Sequence, residues 1–251
     1  MEERFFRFSN LAKFSEVIHG ISNRHYGDMR FGRIPDEEVI KNRTNFLQEL
    51  EINIEDIAIA RLTHGAKIFT IGQNERGRGA TDAKTAIPSS DGLLTKERGI
   101  YLMITVADCF PILIYDPTAQ IAAIVHAGWR GIIKKIIPEA VEKLNNLGSD
   151  TQNLFIGIGP GICQRHFVVR FDVLSLFKEA YPKAVFTRNA DGYIDLKKAI
   201  TEDLIKSGVP KDNIEDSNIC TACQNGNYGS FRREGDSVIF QAAVIGIEKN
   251  D

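Results

Sequence analysis

Cysteine is scarce in this 251-residue chain: four residues, at 109, 163, 220 and 223, are too few for a disulfide scaffold at this size. Apolar runs are short, and none approaches the roughly 20 residues that a membrane-spanning helix needs. The opening MEERFFRFSN carries early acidic residues and no long apolar core, against a secretory leader. Neither sign of charge dominates: 31 Lys and Arg against 33 Asp and Glu give no electrostatic reason to expect nucleic acid or an anionic membrane as partner. Internal repeats and low-complexity linkers are missing too. The expectation is a reduced, cytoplasmic protein, a monomer or weak homodimer, with a small molecule rather than nucleic acid or a membrane as its partner. What is present, 43% hydrophobic residues, suffices for a full core without staples.

The stretch Tyr101 to Gly131, YLMITVADCFPILIYDPTAQIAAIVHAGWRG, organises the rest. Its apolar runs Tyr101–Val106, Ile112–Tyr115 and Ile121–Val125 are rich in β-branched residues and read as buried central strands. Asp108 and Cys109 follow the first run and His126 follows the third, so reactive side chains stand at strand ends.

Around this centre the chain alternates helical and strand patterns. Phe5, Phe6 and Phe8 cover a core edge. The glycine-punctuated segment 20–32 is a long loop whose Asn23, Arg24, His25 and Arg30 either contact a ligand or decorate the surface. Pro35 and Asp36 open a helix that carries Arg43. Ile57–Leu62 reads as a short strand that Lys67–Ile71 either continues, bent at Gly65, or joins as the second strand of a ribbon, with His64-Gly65 between them, and Gly72 to Ser90 reads as a mobile or ligand-covering loop. Asp91 to Thr95 forms a turn and short strand. After Gly131 a helix runs toward Gly148, either kinked at Pro138 or restarting there. Leu154–Ile158 is a strand, Val168 to Ala180 a helix, and Val185-Phe186 with Tyr193-Ile194 a hairpin around Asp191-Gly192. Asp195 caps a helix running to Ser207. Ile214–Ile219 and Ser237–Ile247 supply further strands. The whole, residues 1–251, reads as a single α/β domain with a mixed central β-sheet flanked by helices.

His64, Cys109 and His126 form the sharpest chemical hypothesis. Two imidazoles and a thiolate suit zinc, and three protein ligands leave a fourth position for water or substrate. The alternatives stand beside it: Cys109 is an ordinary buried thiol, or a nucleophile with His126 as base, and His64 simply satisfies a backbone carbonyl. Asp108 either supports a ligating histidine or caps the turn before Pro111. In HAGWRG, Arg130 and free N–H groups at the helix start suit a phosphate or carboxylate, unless Trp129 packs inward and Arg130 pairs with a surface acid. Cys163 and His166 (CxxH) with Cys220 and Cys223 (CxxC) would make a closed zinc site, although neither pair carries knuckle glycines and the core needs no staple.

The segments ADCFPILIYD and VHAGWRGI resemble the multicopper polyphenol oxidoreductase family, the laccase-domain proteins, regarded as purine nucleoside phosphorylase-like zinc enzymes. HGISNRHYG, Asn42-Arg43, LTHG at 62–65, DGLLT at 91–95, GIGPGI at 157–162, Cys220-Thr221 and Phe231-Arg232-Arg233 extend the resemblance over almost the full chain. It implies a deep pocket in a single α/β domain, and metal ligation by His64, Cys109 and His126, with zinc as the ion and copper as the alternative. Phosphorolysis of adenosine, inosine, guanosine and methylthioadenosine, with adenosine deamination, is the implied activity. Arg43, Arg130 and Arg233 are the implied contacts to phosphate or ribose; Asn23 of the early loop is a further candidate substrate contact, and Asp108 joins the trio as a catalytic candidate. The chain departs from the family pattern at Phe31, at Leu62-Thr63 and after Gly161. Fold relatives that use a Cys-His pair on amides, including a cell-wall precursor, supply an alternative activity. A non-catalytic metal-binding module is another. Multicopper oxidation needs roughly ten histidine and cysteine ligands, and five histidines cannot supply them.

Overall fold

The computed structural model describes residues 5–188, 191–224 and 226–249. The chain opens with an antiparallel pair, β1 (Phe5–Phe6) on β2 (Val17–Ser22). Helix α1 (Asp36–Gln48) follows Pro35 and places Asp36, Glu37 and Glu38 in its first turn, where they complement the helix dipole. Three short strands, β3 (Ile57–Ile59), β4 (Ile68–Ile71) and β5 (Gly92–Thr95), precede the three long ones. Those are β6 (Tyr101–Val106), β7 (Phe110–Asp116) and β8 (Ile121–Ala127), which coincide with the three apolar runs. Helices α2 (Trp129–Ile133) and α3 (Ile136–Asn146) separate at Lys135, whose backbone is left-handed at φ 65°. Pro138 therefore sits in the first turn of α3, where a missing N–H breaks no bond.

The second half adds β9 (Phe155–Ile158), β10 (Val168–Val169), α4 (Phe171–Ala180), β11 (Val185–Arg188) and β12 (Asp191–Ile194). It closes with α5 (Leu196–Lys206), β13 (Ile214–Asp216), α6 (Phe231–Glu234) and β14 (Gln241–Ile247). Val168 and Val169 are not helical, contrary to the sequence reading. They pair with Tyr193 and Gly192 in a small sheet of β10, β12 and β11, and α4 begins three residues later than read. Asp191 and Gly192 belong to β12, with Arg188 opposite Asp191, and residues 189 and 190 lie outside the described residues.

The expected mixed sheet flanked by helices is present, and it is divided into two. One sheet runs β1-β2-β14-β6-β3 and the other β13-β9-β7-β8-β5-β4, with parallel pairs β3–β6, β4–β5 and β13–β9 among antiparallel neighbours. Leu102, Ile104 and Val106 of β6 meet Leu113, Tyr115, Ala122 and Ile124 between the sheets. The alternate residues Tyr101 and Met103 face α1 through Phe46 and Leu47. On the far side, Ile112, Ile114, Ala123 and Val125 pack under α3 and α5. Each central strand is thus covered on both faces, which is why its sequence is continuously apolar rather than alternating. Among the described residues no helix is long and apolar enough to cross a membrane.

Candidate metal centre

Strand register brings the two inner ligands together. β7 and β8 pair antiparallel with Phe110 opposite Ala127 and Pro111 opposite His126, so Cys109, just before β7, lies at the end of β8. Asp108, at φ 77°, makes the turn from β6.

His64 is fetched by a different device. Asp91, fully buried at the start of β5, accepts hydrogen bonds from the backbone N–H groups of His64 and Gly65, each at 2.7 Å, and from Thr63 Oγ1 at 2.9 Å. The same carboxylate meets Nδ1 of His126 at 3.2 Å, leaving the other ring nitrogen, Nε2, to face the centre. The left-handed backbone of His64, φ 57°, completes the turn. One carboxylate therefore anchors the backbone at His64 and orients the imidazole of His126.

The ligand atoms of His64, Cys109 and His126 all lie within 4.8 Å of one another, and the two rings meet edge to face at 4.9 Å. Gly128 makes this approach possible. A Cβ there would stand 2.9 Å from Cys109 Sγ and 3.3 Å from His64 Cδ2. Two imidazoles and a thiol around one point, with a glycine clearing the space beside them, fit a zinc-sized ion with an open position.

Burial alone would push the Cys109 thiol up; the neighbouring His126, with help from His64, outweighs it and holds the thiol well below its usual range. Burial would lower His126, but Cys109 and Asp91 together raise it. Asp91 is itself depressed: burial opposes ionisation, and hydrogen bonds from His126, Gly65 and Thr63 overcome it. Cys109 is poised as thiolate, the form that acts as metal ligand or nucleophile, and metal binding would displace the proton it shares with His126.

The trio opens into a cavity of about 290 Å³ that Arg30, Phe31, Arg43, Arg61, Leu62 and Phe240 also line. Of the residues singled out in the sequence as ligand contacts, Arg30 and Arg43 are found there. The Arg43 guanidinium is 2% exposed and donates to the carbonyls of Met29, Gly79 and Ala80 at 2.7–3.0 Å, with Phe31 stacked at 4.2 Å. Burial lowers its pKa to about 10. The Gly79 and Ala80 contacts pin the 72–90 segment over the cavity.

Other expected site residues stand elsewhere. Arg130 lies exposed over Trp129, 4.3 Å from the ring, and is not in the cavity wall. Arg233 donates to the carbonyls of Thr221, Ala222 and Tyr228. Asn23 caps a short turn by accepting from His25 N and lines a separate cleft. Asp108 does not support a histidine. Its carboxylate accepts from Thr221 Oγ1 at 2.6 Å and Arg232 N at 2.7 Å, so the second-layer role belongs to Asp91. Sequence reasoning missed Asp91, although its DGLLT motif was among the matched segments, and it missed Arg61 and Phe240, which come from unrelated segments.

Comparison with known proteins finds similar sequences and a similar fold. The purine nucleoside phosphorylase YlmD of Bacillus subtilis is 27% identical over 247 residues, spanning 95% of this chain and 89% of that protein. Adenosine deaminase RL5, from an unknown prokaryotic organism, is 32% identical over 202 residues, 78% of this chain and 77% of its own length. The crystal structure of YlmD from Geobacillus stearothermophilus superposes with a TM-score of 0.93 at 27% identity, covering 99% of this chain and 98% of that one. The family model for multi-copper polyphenol oxidoreductase laccase matches residues 12–248. The chain belongs to the multi-copper polyphenol oxidoreductase laccase family.

Proposed function

We propose that this chain is a zinc-dependent purine nucleoside phosphorylase of the cytoplasm, acting on adenosine, inosine, guanosine and methylthioadenosine, with adenosine deamination as a second activity. The observation that carries this reading is the meeting of His64, Cys109 and His126 in a cavity that Arg30, Arg43 and Arg61 also line. The names of the similar proteins, two YlmD phosphorylases and a deaminase, support it.

Zinc held by the trio would supply Lewis acidity beside the substrate. The cavity arginines give phosphate a cationic wall suited to bidentate contacts. Arg30 and Arg61 are the most available, because their guanidinium groups have no hydrogen-bond partner among the described residues, whereas Arg43 is largely committed to carbonyls. We therefore assign anion contact to Arg30, Arg43 and Arg61 rather than to Arg130, Arg233 or Asn23. Phe31, Leu62 and Phe240 offer apolar surfaces for the purine face. In phosphorolysis a phosphate oxygen bonds to the ribose anomeric carbon as the bond to the base nitrogen breaks. The electron pair leaves with the purine, which takes up a proton, and a pentose 1-phosphate remains. Deamination replaces phosphate with water, whose oxygen bonds to the purine carbon bearing the amine as ammonia departs.

A second reading has its own observation: Asp91, His126 and Cys109 are arranged as orienter, base and low-pKa thiol. This constellation would serve a Cys-His amidase acting on an amide such as a cell-wall precursor. A nucleoside panel with and without phosphate, run before and after chelation, tests both. Phosphate-dependent, chelator-sensitive base release supports the phosphorylase; amide hydrolysis that survives chelation supports the amidase. Bound metal with no turnover of either substrate would leave only a metal-holding module.

A further inference from the structure

Four further side chains that could ligate a metal gather at a second point outside the cavity. Cys163 and His166 lie on the turn after β9, where His166 N donates to Cys163 O at 3.0 Å. Cys220 and Cys223 lie on the turn after β13, closed by Gln224 N donating to Cys220 O at 3.0 Å. A bridge between Gly161 and Cys220 sets the two turns side by side. All four ligand atoms lie within 4.8 Å of one another.

The spacings match a metal polyhedron. For tetrahedral zinc with ordinary Zn–S and Zn–N bonds, S···S edges are about 3.8 Å and S···N edges about 3.6 Å. Nδ1 of His166 lies 3.3, 3.8 and 3.5 Å from the sulfurs of Cys163, Cys220 and Cys223, and the Cys163 and Cys223 sulfurs are 4.0 Å apart. That last separation is about twice a disulfide bond length, and all four cysteines are free. Three thiolates and a divalent ion carry one net negative charge. Groups suited to balance it are in place: Cys163 N donates to Cys220 Sγ at 3.2 Å, and the Arg165 guanidinium approaches Cys223 Sγ at 3.8 Å.

We propose that Cys163, His166 Nδ1, Cys220 and Cys223 form a second, structural zinc site, separate from the centre at Cys109. Four protein ligands close the coordination sphere, so this ion holds chain rather than substrate. What it holds is the 217–230 loop, whose Thr221 hydroxyl and following Arg232 N–H fix both oxygens of Asp108, the neighbour of Cys109. The site does not rest on the proposed activity.

Metal analysis of the purified full chain tests it. We expect two zinc ions per chain in the wild type, one in Cys223→Ser and one in Cys109→Ala. His166→Cys should keep both, because a four-thiolate set still suits zinc. Cobalt-substituted Cys109→Ala should retain strong thiolate-to-cobalt charge-transfer absorption, and amide hydrogen exchange in the 217–230 loop should quicken in Cys223→Ser. One zinc in the wild type, unchanged by Cys223→Ser and abolished by Cys109→Ala, would overturn the proposal. So would a Cys163–Cys223 disulfide found by mass mapping of fresh protein, or cobalt-loaded Cys109→Ala lacking thiolate bands. If Cys223→Ser does not fold, wild-type stoichiometry and the cobalt spectrum decide.

Discussion

Replacing Asp91 with asparagine removes one charge and no volume at the point that anchors the His64 backbone and orients the His126 imidazole. If the new carbonyl keeps the place of Oδ1, it can still accept from His64 N and meet His126 Nδ1, while the amide NH2 faces Gly65 N, a donor against a donor. One buried N–H left unsatisfied costs about 1–3 kcal/mol, and bonds to a charged acceptor are about 1 kcal/mol stronger than to a neutral one. With the remaining bonds weakened, we expect D91N to lose about 3–5 kcal/mol of stability in urea titrations at pH 7. The bond that orients His126 is weakened with it, so zinc affinity at the trio, measured by chelator competition, should fall about 10–100-fold. The Asp91 carboxyl is depressed in the folded state, so its contribution is present above the ordinary carboxylate pKa and fades as pH falls below it. The difference between wild type and D91N should therefore narrow below about pH 4. A D91N protein within 0.5 kcal/mol of wild type (about the scatter of an ordinary surface change), with unchanged zinc affinity, would refute the role given to Asp91.

Gly128→Ala should push Cys109 Sγ and His64 aside and lower metal affinity at the trio at least about tenfold, read by equilibrium dialysis; full-strength binding would show that the glycine is not needed for space. Arg43→Lys replaces a fork serving three carbonyls with one ammonium, and we expect a loss of about 2–4 kcal/mol from the carbonyls left unpaired, with an unchanged urea midpoint as the contrary result. His19 is buried and accepts from Phe8 N at 2.9 Å, which requires the neutral ring, and burial lowers its pKa from 6.5 to about 4. Its stabilisation is complete above pH 6.5 and is lost as pH falls toward 4, by about 3 kcal/mol. His19→Gln should remove that part of the acid sensitivity, and identical pH profiles for the two proteins would contradict it.

Much of the centre was legible because strands covered on both faces leave no doubt about where polar residues interrupt them. Cys109 and His126 follow uninterrupted apolar runs, and polar residues at the ends of buried strands stand out. His64 is legible as an imidazole before a glycine, but the reason it turns inward is not, since Asp91 lies far along the chain, just ahead of β5, and reads as an ordinary turn residue before Gly92. Arg43 was located correctly on its helix, yet its bonds to Gly79 and Ala80 depend on how the 72–90 segment folds back. The division into two sheets was hidden because β6 alternates between two apolar partners, and alternation shows on a sequence only when one face is wet. Val168 and Val169 were misread because apolar residues at helical spacing follow them. Their strand pairing comes from Gly192 and Tyr193, beyond the reach of local pattern.

Ribose 1-phosphate production from inosine and inorganic phosphate, measured beside zinc content in wild type and Cys109→Ala, tests the proposed centre most directly. We expect the wild type to form it, and the variant to lose one zinc per chain and the activity with it. Undiminished turnover by the variant would contradict a catalytic centre built on Cys109.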